Sequence, residues 1–220
     1  MKSSIPFISY QEAKKIDDYM VNKLNIPIET LINNAGNAIA NHLDNNNIYK
    51  HVNAIIGKGN NGKDALVAIK QSKNIKAASL IIPFEATKTS KEFITLKKEK
   101  EIHIVENIHT MKKNSPLIDG LFGTGLKHIE NQTTNRLILD INQQNFNIIS
   151  IDVPSGLTEG LLTTCIKANQ TLGIMFPKKA YQNNTNVCGK ITVLKLANNH
   201  QWLEDQQAYI SGDSIEIQCN

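Results

Sequence analysis

Hydrophobic residues recur along the chain first at helical spacing and then in short strand-like runs. Residues 9–23 place Ile16, Tyr19 and Met20 on one helical face behind Ser9, a residue suited to cap a helix start. Residues 28–43 repeat the pattern with Leu31, Ala35, Ile39 and Leu43. VNAIIG (52–57) is then a short apolar run that suits a strand buried on both faces. From there strands and helices alternate. A helix from Gly62 to about Ser72 precedes a strand at AASLIIP (77–83), and a helix over 89–100 precedes IHIV (102–105). SPLIDG (115–120) is a strand, 133–144 a helix and NIISIDVP (147–154) a strand, with late strands at 168–176 and 190–196. This alternation predicts βαβ units: an α/β fold with a mostly parallel sheet, helices on both faces and the two N-terminal helices as an additional layer.

Composition narrows the picture without changing it. At 220 residues the chain suits one large domain, 1–220, and a chain of this size buries roughly 70% of its unfolded surface. Its net charge of +4 comes with no basic stripe; the longest lysine cluster, around 97–100, is broken by Glu99 and Glu101 and reads as a solvated helix end. A nucleic-acid partner is therefore not expected. The three cysteines, Cys165, Cys188 and Cys219, show no CxxC spacing, which argues against a disulfide framework or a zinc site and for a reducing compartment. The N-terminus lacks the apolar core of a secretory signal, and no stretch approaches the ~18 apolar residues of a membrane span. A soluble, cytoplasmic protein with no membrane partner is the expectation.

In a parallel sheet, ligands sit beyond the carboxyl ends of the strands at a topological switch point, so the loops after strands carry the chemistry. Three stand out. GKGNNGKD (57–64) joins a strand to a helix; its glycines permit close backbone approach, and the following helix offers free N–H groups to an anion. A turn stabilised by asparagine side chains is the plainer reading of the same residues. The acidic residue that a dehydrogenase uses on the cofactor ribose is missing after the second strand. DGLFGTGL (119–126) offers a carboxylate at a strand end and a second flexible anion cradle. DVPSG (152–156) again ends a buried strand on a carboxylate, which either acts or caps the turn. All three loops must emerge on one sheet edge, bringing Asp119 and Asp152 beside Asn60 and Asn61. Two such acids repel unless a cation intervenes, and the amide, carboxylate and hydroxyl oxygens of Asn61, Asp119 and Ser155 are hard ligands, suited to a monovalent or hard divalent cation and not to zinc.

Taken in order, GKGNNGKD, DGLFGTGL, DVPSGL and FPKKA resemble the YjeF N-terminal domain family of NAD(P)HX epimerases, as does LINNAGNAIA before the first strand. The resemblance runs from about residue 9 to 196. It implies a Rossmann-like three-layer α/β/α sandwich and an isomerase that interconverts the R and S epimers of hydrated NADH or NADPH, a nicotinamide-nucleotide repair step coupled to a separate dehydratase. By resemblance, Asn60, Asn61, Gly62, Lys63 and Asp64 contact the hydrated dinucleotide, and Gly123, Thr124, Gly125, Leu126, Lys127, His128 and Ile129 hold another part of it. Asp152 lies at the ligand, Asn61, Asp119 and Ser155 hold a potassium ion, and a homodimer is expected. Loss and return of the hydroxyl at C6, helped by the ring nitrogen, calls for a carboxylate near the cation-like intermediate and a proton for the departing hydroxyl; Asp152 is expected to fill one or both roles.

The chain departs from the family pattern at several points. Lys63 and Ala65 stand where glycines are usual, Lys127-His128 where an arginine is usual, and Asn33 where a glutamate is usual. Lys178 matches a family lysine but also reads as a solvated loop residue. These departures leave two further readings open: a YjeF-type nucleotide-binding or assembly module without turnover, and, more remotely, a small-molecule methyltransferase on a similar sheet.

Overall fold

The computed structural model describes residues 6–125, 132–160 and 164–196, together with the strand at 214–217. After helices α1 (Tyr10–Asn22) and α2 (Ile28–Asn46), strand β1 (His51–Ile56) leads into α3 (Asn60–Gln71). Strand β2 (Ala77–Ile81), the short helix α4 (Glu85–Lys88), α5 (Lys91–Glu99) and β3 (Glu101–Ile104) complete the first half. Strand β4 (Leu117–Gly120), α6 (Gln132–Asn142), β5 (Ile148–Ile151) and β6 (Gln170–Ile174) follow, then α7 (Lys179–Gln182), α8 (Thr185–Cys188), β7 (Lys190–Leu194) and β8 (Ser214–Ile217).

The eight strands form one sheet in the order β3-β2-β1-β4-β5-β6-β7-β8. The first seven pair in parallel, as the alternation predicts, and β8 closes the edge antiparallel to β7. The pleat of β1 sets the layers. Val52, Ala54 and Ile56 pack with Ile39 and Leu43 of α2, Leu66 and Ile69 of α3 and Leu96 of α5. Ile55 points the other way, into a second core with Ile138 and Ile141 of α6. Helices therefore cover both faces, giving the three-layer α/β/α sandwich. The strand β8, the short helices α4, α7 and α8, and a 3-10 turn at Ile108–Thr110 were not foreseen from the sequence.

Between β1 and β4 the chain reverses its direction of travel across the sheet, and the register places Ile55 beside Asp119 and Asp119 beside Ser150. The crevice at the carboxyl ends of β1 and β4 is thus the topological switch point. At the opposite end of the strands His51 is clamped, with Nδ1 3.0 Å from Ser115 Oγ and Nε2 3.1 Å from Ser79 Oγ. Desolvation, followed by the charges of Lys112 and His103, pushes the imidazole down to about 4, so it is neutral at physiological pH.

Helix α1 is held by its first turn. Ser9 and Glu12 form a capping box: Glu12 N–H donates to Ser9 Oγ at 3.1 Å, and Ser9 N–H donates to Glu12 Oε2 at 2.7 Å. Just upstream, Ile8 bridges Lys178 in parallel fashion; Ile8 N–H donates to Pro177 O at 2.9 Å and Lys179 N–H to Ile8 O at 2.8 Å. Tyr10 is buried, its hydroxyl donating to Leu157 O at 3.1 Å and its N–H to Glu159 Oε1 at 2.9 Å. The start of α1 is therefore fastened to the loops that follow β5 and β6.

Candidate active site

Helix α3 begins at Asn60, two residues earlier than the periodicity predicts, because Gly59 is extended and acts as the N-cap. Both asparagines therefore lie in the first helical turn and not in the preceding loop. No side chain caps this helix, so its first N–H groups have no side-chain acceptor. A Cβ on Gly62 would lie 2.1 Å from the Gly57 carbonyl oxygen, so only glycine lets the helix start this close to the end of β1. Asn60 is exposed, whereas Asn61 is buried and donates its amide to Phe122 O at 2.9 Å, joining the first loop to the second.

Asp119, at the end of β4, is fully buried. Its carboxylate accepts from Ser150 Oγ at 2.7 Å, Ser155 N–H at 2.9 Å, the Ser155 hydroxyl and Leu121 N–H at 3.3 Å. Ser155 Oγ in turn accepts from Phe122 N–H at 2.8 Å. Burial raises the Asp119 carboxyl, and these hydrogen bonds pull against the rise. Asn61, Asp119 and Ser155, which the sequence groups as hard ligands, are thus linked through Phe122 in one network. The oxygen donors of that set fit a hard monovalent cation. Among the described residues no group of three or more His, Cys, Asp and Glu side chains is placed to hold a metal ion. Gly123 lies against Asn61, and Thr124 and Gly125 follow it toward solvent; Leu126, Lys127, His128 and Ile129 lie outside the described residues.

Asp152 follows β5, the parallel neighbour of β4, and its partners are not those of Asp119. Its backbone is left-handed, with φ 62°, an uncommon state for a residue with a side chain. The Tyr181 hydroxyl donates to Asp152 O, and Asp152 N–H donates to Leu172 O at 2.8 Å, which hold that conformation. The carboxylate pairs with Lys178, Nζ to Oδ1 at 2.7 Å. Lys178 is only 3% exposed, not a solvated loop lysine, and its remaining donors reach Ile174 O at 2.8 Å and Phe176 O at 3.0 Å. All three ammonium hydrogens are engaged.

Two further carboxyls surround this pair. Asp64, from the second half of the first loop, is raised well above the usual carboxylate range, by burial first and then by Asp152 and Asp17, with Lys63 opposing. Asp17, on α1, is pushed up to about 6, by desolvation first and then by Asp152, with Lys178 opposing. Asp17 was not singled out by sequence reasoning; on an amphipathic helix it reads as one more polar-face residue, with nothing to distinguish it from Asp18. The carboxylates that respond to Asp152 are thus Asp17 and Asp64, whereas Asp119 answers chiefly to its own burial.

The two departures in the first loop each meet a partner on another element. Lys63 leans toward α5, its Nζ 3.9 Å from Glu92 Oε1. Ala65 is buried and faces β4, where a Cβ on Gly120 would come within 2.7 Å of it. Asn33 is exposed on α2. Cys165 and Cys188 are buried free thiols, and Cys219 lies outside the described residues. No helix among the described residues is long and apolar enough to cross a membrane.

The chain is similar to several named proteins and to a solved structure. The NAD(P)H-hydrate epimerase of Oenococcus oeni is 25% identical over 199 residues, covering 85% of this chain and 94% of that protein. The NAD(P)H-hydrate epimerase of Lentilactobacillus buchneri is 30% identical over 180 residues, covering 78% and 84%. The crystal structure of yeast ynu0 superposes with a TM-score of 0.77 over 96% of this chain and all of that one, at 16% identity, a likeness of fold. The family model described as YjeF-related protein N-terminus matches residues 28–180, which contain all three strand-end loops and Lys178. The chain belongs to the YjeF-related N-terminus family.

Proposed function

We propose that this protein is an NAD(P)H-hydrate epimerase, interconverting the R and S epimers of hydrated NADH or NADPH. One observation carries the reading: the uncapped start of α3, the Asn61–Asp119–Ser155 network and the Asp152–Lys178 pair gather at one edge of the sheet, around its switch point. The helix start offers N–H groups to the phosphates of a dinucleotide. Asn60, Asn61, Gly62, Lys63 and Asp64 would contact the substrate from one side of the crevice, and Gly123, Thr124 and Gly125 from another. Asn61, Asp119 and Ser155 would hold a potassium ion, which supplies a fixed positive charge against the buried carboxylate.

Asp152 would face the cation-like ring formed when the C6 hydroxyl departs. An anion kept in position by Lys178 and by a fixed backbone needs little reorganisation as charge develops. The test is to incubate the protein with R-NADHX and an independent dehydratase specific for the S epimer, and to follow NADH recovery with and without potassium. Recovery faster than the spontaneous rate supports the reading. Dinucleotide binding with no gain in recovery favours a binding module.

A further inference from the structure

Epimerisation needs a negative charge near the ring and also a proton for the hydroxyl that leaves. Asp152 supplies the charge, but its Oδ1 is tied to Lys178 at 2.7 Å and accepts from Ile174 N–H at 3.4 Å. That geometry fixes the carboxylate in place beside a buried ammonium.

Helix α1 brings another carboxyl to the same place. Tyr10, at its start, is fastened to Leu157 O and Glu159, and the preceding residues are fastened to the Lys178 loop. Asp17 lies about two turns beyond Tyr10, on the same face of the helix. Met20 of α1 packs with Met175 and Phe176, which locks that face over the end of β6. Among the described residues no hydrogen bond or close ion pair engages Asp17 or Asp64, in contrast to the fully engaged Asp119. The groups facing Asp17 are Asp152 and Lys178 from the loops after β5 and β6, Asp64 from α3 with Lys63 beyond it, and Asp18 and Lys14 from its own helix.

Resting on the epimerase reading, we propose that Asp17 is the proton carrier of the reaction, giving a proton to the departing hydroxyl and recovering it from the water that returns, while Asp152 remains the anion. In the first step the C6–O bond breaks, the ring nitrogen lone pair moves into the N–C6 bond, and the Asp17 proton completes a water molecule. In the second, water adds to C6 from the opposite face, the electron pair returns to nitrogen, and the carboxylate takes back the proton. No oxidant or co-reactant enters, and the enzyme ends as it began.

Two features favour Asp17 over Asp64. Asp64 lies in the second turn of α3, only partly exposed and next to the residues that would grip the dinucleotide. Asp17 is exposed to water, yet desolvation is the leading influence on its carboxyl. Its exposure lets it exchange a proton with solvent between turnovers. Asp17 also lies outside the matched span of residues 28–180, so the part of the chain that carries the family signature holds the anion and the binding loops, and the N-terminal helix adds the acid.

The test compares wild type with Asp17→Asn, Asp17→Glu and Asp64→Asn in the coupled NADH-recovery assay. Asp17→Asn is expected to lower kcat by about 100-fold or more with KM for R-NADHX within about threefold, a loss in the range of a missing general acid. Asp17→Glu should restore part of the rate. Wild-type kcat/KM should fall above about pH 6, and this limb should be absent from the residual activity of Asp17→Asn. Asp17→Asn should melt no lower than wild type at pH 7, which separates lost chemistry from lost folding. Retention of more than about a third of wild-type kcat in Asp17→Asn overturns the proposal, as does a loss confined to Asp64→Asn. If wild type itself recovers no NADH above the spontaneous rate, the epimerase reading fails, and this proposal with it.

Discussion

Replacing Lys178 with methionine would remove an ammonium from a site 3% exposed while keeping most of the buried stem. Three acceptors lose their partner: Asp152 Oδ1, Ile174 O and Phe176 O. Breaking a buried ion pair from one side costs about 3–5 kcal/mol, because the remaining charge stays uncompensated. The Asp152 side chain is 15% exposed, so water repays part of this, and the lower end of that range applies. Each carbonyl left unpaired adds about 1 kcal/mol. The expected loss is therefore about 5 kcal/mol, which in a domain of this size lowers Tm by roughly 10–20 °C. Asp152→Asn should be milder, since asparagine tolerates the left-handed backbone at this position. Urea denaturation of Lys178→Met, Asp152→Asn and the double variant closes a cycle, and a coupling of about 2 kcal/mol or more is expected. A loss below about 1 kcal/mol in Lys178→Met, or single effects that simply add, would refute the claim that the pair is buried, coupled and structurally required.

Three other outcomes follow from the geometry. Gly62→Ala should cost about 1–3 kcal/mol or more and weaken NADH binding, because the added methyl meets the Gly57 carbonyl at 2.1 Å and the start of α3 must shift; thermal melting and a binding titration check both. Asp119→Asn should cost about 2–4 kcal/mol, since its amide would face the Ser155 N–H and the Ser150 and Ser155 hydroxyls, and should abolish any potassium stimulation of NADH recovery. His51 titrates near 4 when folded and near 6.5 when unfolded, so the folded state binds fewer protons between these values and stability falls as pH drops from about 6.5 to about 4. For this half-buried ring the loss is at most about 2 kcal/mol, and His51→Gln should flatten that part of the urea-stability profile.

The parts of the site legible in the sequence are those that the sheet itself arranges. Asp119 lies at the end of a strand, Ser155 follows one and Asn61 opens the helix after one, so a parallel sheet brings them together whatever the details of packing. Asp17 was hidden because its function depends on how α1 docks, and that docking is set by a backbone bridge at Ile8 and by Tyr10, neither of which has a periodic signature. Lys178 was ambiguous because lysine in a loop is usually solvated; only the convergence of two carbonyls and a carboxylate makes burial tolerable. Ala65 looked like a departure from a glycine position, but its compensation is Gly120, far away in sequence and adjacent in space. The antiparallel β8 pairs with β7 at the sheet edge; its run Ser-Ile-Glu-Ile alternates as a strand should, but four residues are too few to stand out in the sequence.

The backbone strap between Ile8 and the Pro177–Lys179 turn has a practical bearing on how this protein is handled. Whatever is fused ahead of Ile8 begins only a few residues from α1, the helix that carries Asp17. A purification handle placed there would pull on the strap, and trimming the chain past Ser9 would release the helix from the loop that carries the buried lysine. Preparations that differ only in their leading residues should therefore be compared for turnover as well as for yield.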